Sequence, residues 1–207
     1  MKNILCGDTE VITYLNRGDF SNASKKLLEL QIKSWSLAEK GYKSLESIQT
    51  KTFHFEGFDI KVQFNPGRII SSSAKVDEKS IKERECFLCI ENLPIEQKGL
   101  LFNDEYLILV NPFPIFPEHF TLPNLKHIPQ RIHSFSRKNP FSALLDFSKN
   151  LSKFYTVFYN GPNCGASAPD HLHFQAGLKN FIPIEADFHQ LKKGYQFRSA
   201  FPYAGFA

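Results

Sequence analysis

From His171 to Gln175 the chain alternates polar and apolar side chains residue by residue: His171, His173 and Gln175 on one parity, Leu172 and Phe174 on the other. A strand sends successive side chains to opposite faces. The alternation therefore predicts a strand with one face sunk in a core and two imidazoles and an amide sharing the opposite wall. Whatever the chain folds into must leave that wall open to polar groups.

Just upstream lies a small-residue turn, Cys164-Gly165-Ala166-Ser167, closed by Ala168-Pro169. Such a turn lets backbone N–H groups and the Ser167 hydroxyl come close to an anion, so it can hold a phosphate. An imidazole beside it is nucleophilic near neutral pH without first losing a proton, which makes His173 a candidate to attack phosphorus. A histidine pair in a strand also occurs as a packed or surface pair, so the rest of the chain has to decide.

The 207 residues suit one moderately large domain, or a core with an N-terminal addition. A hydrophobic fraction of 42%, with 21 Phe, is ample for a packed core and argues against disorder. The net charge of +4 comes from scattered rather than clustered basic residues. That fits a phosphorylated small substrate and excludes a nucleic-acid track, which needs a concentrated basic stripe. No apolar run approaches a membrane span, and Met1 to Asp8 lacks the core of a signal peptide, so a cytoplasmic location is expected. Four cysteines, two of them in Cys86-Phe87-Leu88-Cys89, suggest metal or redox usage rather than a disulfide framework.

Leu28, Trp35, Ala38, Tyr42 and Leu45 recur at helical spacing, predicting a docking helix over Ser21–Ser47. The period then switches to two. Phe53 and Phe55, a turn at Glu56-Gly57, and Phe58, Ile60, Val62 and Phe64 predict a β-hairpin, followed by the turn Asn65-Pro66-Gly67-Arg68. Arg68 is either a solvated turn residue or the planar cation that a phosphate substrate requires. The polar stretch Ser71–Glu85 divides an N-terminal extension, residues 1–70, from a core, residues 71–207.

Within that core a strand is expected at Tyr106–Val110 and a second at Glu118–Pro123. Between them the Pro-punctuated segment Asn111–Pro117 reads as a rigid loop walling a pocket. Asn139-Pro140 has the form of a cap and first turn of a helix whose apolar face carries Phe141, Leu144, Leu145 and Leu151. A strand at Tyr155–Tyr159 then feeds the small-residue turn, and the chain finishes on an apolar tail beyond Arg198.

The cysteine pair needs two further ligands to hold zinc. His119 and His171, each at the start of an expected strand, are the candidates. A closed Cys2His2 site would be structural and would leave His173 free to react. Alternatively the thiols are inert and His119 and His127 are ordinary loop histidines.

Glu118-His119-Phe120-Thr121-Leu122-Pro123, His127-Ile128, Gly165-x-Ser167 and His171-x-His173-x-Gln175 together resemble the histidine-triad (HIT) superfamily. Gln175, where hydrolase members carry a third histidine, is similar to the transferase and phosphorylase branch. That branch includes galactose-1-phosphate uridylyltransferase, diadenosine tetraphosphate phosphorylase and GDP-L-galactose phosphorylase. The likeness spans Asn65 to Leu178.

The resemblance implies an α+β fold: a HIT-like antiparallel sheet flanked by helices, with an N-terminal helix and β-hairpin extension. It implies that His173 attacks the α-phosphorus of a nucleoside diphosphate sugar or dinucleotide, that Gln175 bonds a non-bridging phosphate oxygen, and that Asn160, Gly165, Ala166 and Ser167 lie near the phosphates. The uridylyltransferase zinc site maps onto Cys86, Cys89, His119 and His171. Asp170 lengthens the spacing between the Gly-x-Ser turn and the first histidine by one residue relative to the family. Too few residues follow Gln175 for a second copy of the fold, so the expectation is either a homodimer completing the pocket or a truncated chain.

The expected activity is ping-pong nucleotidyl transfer to phosphate or a sugar phosphate. The alternatives are a nucleotide phosphohydrolase and a non-catalytic nucleotide-binding domain.

Overall fold

The computed structural model describes residues 4–56, 58–68, 76–132 and 139–191, with the side chains of 189–191 excepted. The expected division at residue 70 and the apolar tail lie outside these residues.

Two N-terminal helices begin on aspartates. Asp8 accepts from Glu10 N–H and Val11 N–H at 3.0 and 3.1 Å, opening α1 (Thr9–Asn16), and Asp19 accepts from Asn22 N–H, opening α2 (Phe20–Ser34). These bonds satisfy amides that a helix start leaves without intrahelical partners.

The single helix expected over Ser21–Ser47 is broken. Trp35 is buried in extended conformation (φ −127°, ψ 104°), and α3 (Ser36–Lys43) starts in a new direction. The apolar positions of this stretch serve two packings, so one straight rod cannot satisfy them. Leu27 and Leu28 enter the main core, while α3 docks on the Pro-punctuated loop. There Gly41 lies so close to Pro112 that a Cβ would sit 2.0 Å from the Pro112 carbonyl oxygen, and the Tyr42 hydroxyl donates to the His119 carbonyl at 2.9 Å.

The expected hairpin is present as β1 (Gln49–Phe55) and β2 (Phe58–Phe64), paired antiparallel with Phe53 opposite Ile60. It is tied to the same loop by Gln63 Nε2, which donates to the Ile115 carbonyl, and by Asn65 Nδ2, which donates to that of Pro114.

After a short helix, α4 (Glu78–Glu83), comes the main sheet: β3 (Gly99–Phe102), β4 (Tyr106–Val110), β5 (His119–Pro123), β6 (Tyr155–Phe158) and β7 (His173–Leu178). Its order is β3-β4-β5-β7-β6, and every pairing is antiparallel. Helix α5 (Pro140–Asn150), capped by Asn139, precedes β6, and α6 (Pro183–Leu191) follows β7. The α+β architecture with an antiparallel sheet and flanking helices is as expected.

Register assigns the two faces. Phe120, Leu122, Phe174 and Ala176 point into one core with Leu27 of α2, Phe147 of α5 and Leu151, which caps the end of α5. Phe147 is fully buried and stacks on Phe102 at 4.1 Å, with Tyr106 and Phe174 edge-on to it. Truncating a side chain so placed costs about 3–5 kcal/mol. The opposite parity sends His119 and Thr121 of β5 and His173, Gln175 and Gly177 of β7 to the other face. There Phe116 lies so tightly over Gly177 that a Cβ would come within 2.5 Å of its ring.

Among the described residues, no helix is long and apolar enough to cross a membrane.

Candidate functional site

Cys86 and Cys89 sit on a tight turn closed by Cys89 N–H to the Cys86 carbonyl at 3.2 Å, and Asn92 Nδ2 donates to the same carbonyl at 2.8 Å. The thiols face two imidazoles. Cys86 Sγ lies 3.3 Å from His171 Nδ1, Cys89 Sγ 3.2 Å from His127 Nδ1 and 3.6 Å from His171 Nδ1. Cys86, Cys89, His127 and His171 form a group whose ligand atoms all lie within 4.8 Å of one another and which could hold a metal ion. Tetrahedral zinc with ordinary Zn–S and Zn–N bonds sets sulfur and nitrogen about 3.6 Å apart, so the spacing suits that geometry.

The ring orientations agree. His171 Nε2 lies 2.8 Å from the Asn124 carbonyl, which can only accept, so the proton is on Nε2 and Nδ1 keeps its lone pair for a metal. Nε2 of His127 lies 3.8 Å from Asp170, whose other oxygen accepts from Arg84 at 2.8 Å. Burial, together with the neighbouring Cys86, pushes the Cys89 thiol up to about 12. A bound cation would favour the Cys89 thiolate that burial otherwise opposes.

The fourth member of the group that could hold a metal ion is His127, not the expected His119. His119 is the first residue of β5 and is fully buried at the far end of that strand from Pro123, which pairs with His173. Both of its ring nitrogens are engaged elsewhere: Nδ1 accepts from the Ile115 N–H at 3.2 Å, and Nε2 lies 2.8 Å from Gln175 Oε1. His127 lies beyond the strand, where the chain turns back towards the cysteine knuckle. The segment His127-Ile128 was legible as part of a motif, but nothing local distinguishes it from His119 as a ligand.

His173 opens β7 and is almost wholly buried. Strand β7 begins at His173, so His171 precedes the strand. His171 lies in the approach to the strand, pinned by its N–H to the Ala168 carbonyl at 3.2 Å. The Nδ1 of His173 is 2.8 Å from the His171 carbonyl and donates to it, which leaves Nε2 with its lone pair. Burial holds the His173 ring below its ordinary pKa, so it is neutral at neutral pH.

Its backbone is clamped by Gln130, a residue that sequence reasoning missed. The His173 N–H donates to Gln130 Oε1 at 2.7 Å, while Gln130 Nε2 donates to the carbonyls of His173 and Asn160 at 2.9 and 2.8 Å. The clamp sets Asn160 beside His173. Gln130 follows Pro129 in a polar stretch and carries no pattern that announces this role.

The small-residue turn is held by Cys164 N–H to the Gly161 carbonyl at 2.9 Å, and Gly165 adopts φ +84°, a region open to glycine at little cost. Ala166 is buried and Ser167 half-buried. Arg68 ends a short turn after β2, and its charge reaches His119. Burial foremost, then the Arg68 guanidinium, lowers the His119 pKa to about 3. Phe116 meets the His119 ring edge-on at 5.2 Å and also packs on Phe158 and Phe181.

The fold and site define an α+β protein that sets a buried, neutral histidine next to a Cys2His2 group fit for a metal ion. The chain belongs to the family described as a domain of unknown function (DUF4922), which matches residues 27–178. Among solved structures it is similar to yeast Ap4A phosphorylase Apa2. In the complex with AMP the identity is 23% over 76% of this chain and 51% of that one, with a TM-score of 0.41. In the complex with Ap4A it is 20% over 82% and 57%, with a TM-score of 0.44. A HIT family hydrolase from Clostridium thermocellum is 18% identical over 45% of this chain and 87% of that one, with a TM-score of 0.34. The chain spans about half the length of the phosphorylase that it matches. No curated protein matches it.

Proposed function

We propose that this protein is a HIT-like nucleotidyltransferase or phosphorylase that works through a covalent nucleotidyl-His173 intermediate. The observation that carries the reading is the state of His173: its Nδ1 proton is committed to the His171 carbonyl, and Nε2 is left as a neutral nucleophile. The Nε2 lone pair attacks the α-phosphorus of a nucleoside diphosphate sugar or a dinucleotide. A P–N bond forms, the P–O bond to the distal phosphate breaks, and that phosphate departs with the electron pair. An oxygen of inorganic phosphate or of a sugar phosphate then attacks the same phosphorus, and the P–N bond returns its electrons to Nε2.

In this reading Gln175, the Gly165, Ala166 and Ser167 turn, Asn160 and Arg68 bind the phosphates and take up the charge that grows on them. A neutral amide at position 175 cannot readily protonate a leaving group. A phosphate acceptor, itself a good nucleophile, therefore suits the site better than water. Zinc held by Cys86, Cys89, His127 and His171 would be structural, with all four positions taken by protein, and would fix the approach to β7 from which His173 projects.

The test is to incubate the protein with a panel of nucleoside diphosphate sugars and dinucleoside polyphosphates, Ap4A included, and to read intact mass and products. The expected result is a nucleotidyl adduct, absent in His173→Ala and discharged by phosphate much faster than by water. A panel on which wild type and His173→Ala behave alike sinks the proposal.

A further inference from the structure

We propose that His119 is a positioning residue for Gln175, locking the Gln175 amide so that its NH2 group rather than its oxygen faces the substrate phosphate. The inference rests on the nucleotidyl-transfer reading above and assigns a task to a buried histidine that the metal centre does not use.

The argument starts from the tautomer. The Ile115 N–H points at His119 Nδ1, 3.2 Å away, and a ring nitrogen that accepts a hydrogen bond carries no proton. Burial and the charge of Arg68 keep the ring neutral, so its one proton is on Nε2. Nε2 lies 2.8 Å from Gln175 Oε1 and donates to it. Turning the Gln175 amide over would set its NH2 against the Nε2–H, donor against donor. The oxygen of Gln175 is thereby turned to His119, and its two N–H donors are what it offers to a ligand. Phosphate oxygens accept and do not donate, so this orientation is the one that a phosphoryl group in transfer needs.

Three contacts from two parts of the fold hold the imidazole in place. The Tyr42 hydroxyl of α3 donates to the His119 carbonyl at 2.9 Å, the Pro-punctuated loop supplies the Ile115 N–H, and Phe116 packs on the ring. The loop and α3 therefore bear on the phosphate site through one imidazole, although neither bears a nucleophile in the proposed reaction.

Two measurements test this. Nitrogen-15 NMR of the histidine rings in the full-length protein should find His119 protonated on Nε2 and bare on Nδ1. The reverse tautomer overturns the proposal whatever the activity. The second measurement compares two substitutions, because an Asn amide reaches about where Nδ1 lies and a Gln amide about where Nε2 lies. His119→Asn keeps an acceptor for Ile115 and loses Gln175, whereas His119→Gln keeps a donor for Gln175.

With melting temperatures recorded for both, His119→Asn is expected to lower kcat about a hundredfold with KM little changed. His119→Gln should recover most of the loss. If the two variants are equally impaired, or Asn is the better substitute, His119 merely supports the loop and the proposal fails. A wild-type protein that forms no adduct and turns over nothing in the panel sinks the parent reading and the phosphate-facing role with it, while the tautomer still decides whether His119 orients the amide.

Discussion

His173 gives its Nδ1 proton to the carbonyl of His171, the residue two positions before it, at 2.8 Å. The bond lies within one short motif, so the motif itself decides which ring nitrogen keeps its lone pair. Removing the ring by His173→Ala should abolish the nucleotidyl adduct and lower turnover by at least about a thousandfold, as loss of a nucleophile does elsewhere. Intact-mass analysis after exposure to substrate checks the first part and steady-state kinetics the second.

Metal binding should follow His127 and ignore His119. Purified protein is expected to contain close to one zinc per chain. His127→Ala should weaken its hold by more than the roughly 10–100-fold that loss of an outer partner costs, while His119→Gln retains the metal. Elemental analysis together with competition against a chromophoric chelator reads both. Stripping the metal should also lower the melting temperature, since the knuckle at Cys86 and Cys89 then loses what ties it to His171.

Gln130 is fully buried, and its single amide serves the backbone of both His173 and Asn160. Gln130→Ala leaves the His173 N–H and carbonyl without this partner away from water, where each costs about 1–3 kcal/mol. A loss of about 3 kcal/mol in urea unfolding is expected, with kcat reduced because His173 is no longer held. Full stability in this variant would show that the clamp is dispensable.

The contact between α3 and the Pro-punctuated loop leaves no room at Gly41, where a Cβ would lie 2.0 Å from the Pro112 carbonyl oxygen. Backbone cannot yield as a flexible side chain can. Gly41→Ala should therefore destabilise the protein by about 1–3 kcal/mol, despite the better helix propensity of alanine. Thermal melting of the variant checks it.

Acid should destabilise the fold earlier than carboxylate titration would. His119 and His173 are buried and held below the ordinary value of 6.5, His119 down to about 3. Below pH 6.5 the unfolded chain takes up protons on these rings that the folded chain refuses, so stability falls as pH drops below 6.5. From pH 6.5 to 5 His119 alone contributes about 2 kcal/mol of that loss. Denaturant titrations over this range should show a shallower fall in His119→Gln, and equal slopes would contradict the assignment.

Local pattern was enough to reveal the elements that carry the site. The period-two runs at Phe53 to Phe64 and across His173 to Gln175, the cap at Asn139 and the Pro-rich loop are each set by neighbours in the chain, through strand alternation, side-chain capping and proline geometry. Cys86 and Cys89 declare themselves in the same way, because one tight turn brings both thiols to one point. Only the tertiary structure could choose between His119 and His127. A ligand is defined by where its lone pair points in space, and strand β5 carries His119 to Gln175 while the chain beyond it returns His127 to the thiols. The same holds for Gln130, Tyr42 and Gly41, whose partners are tens of residues away in sequence. Hydrogen bonds and close packing between distant segments leave no periodicity in a chain, so they become visible only when the sheet has brought those segments together.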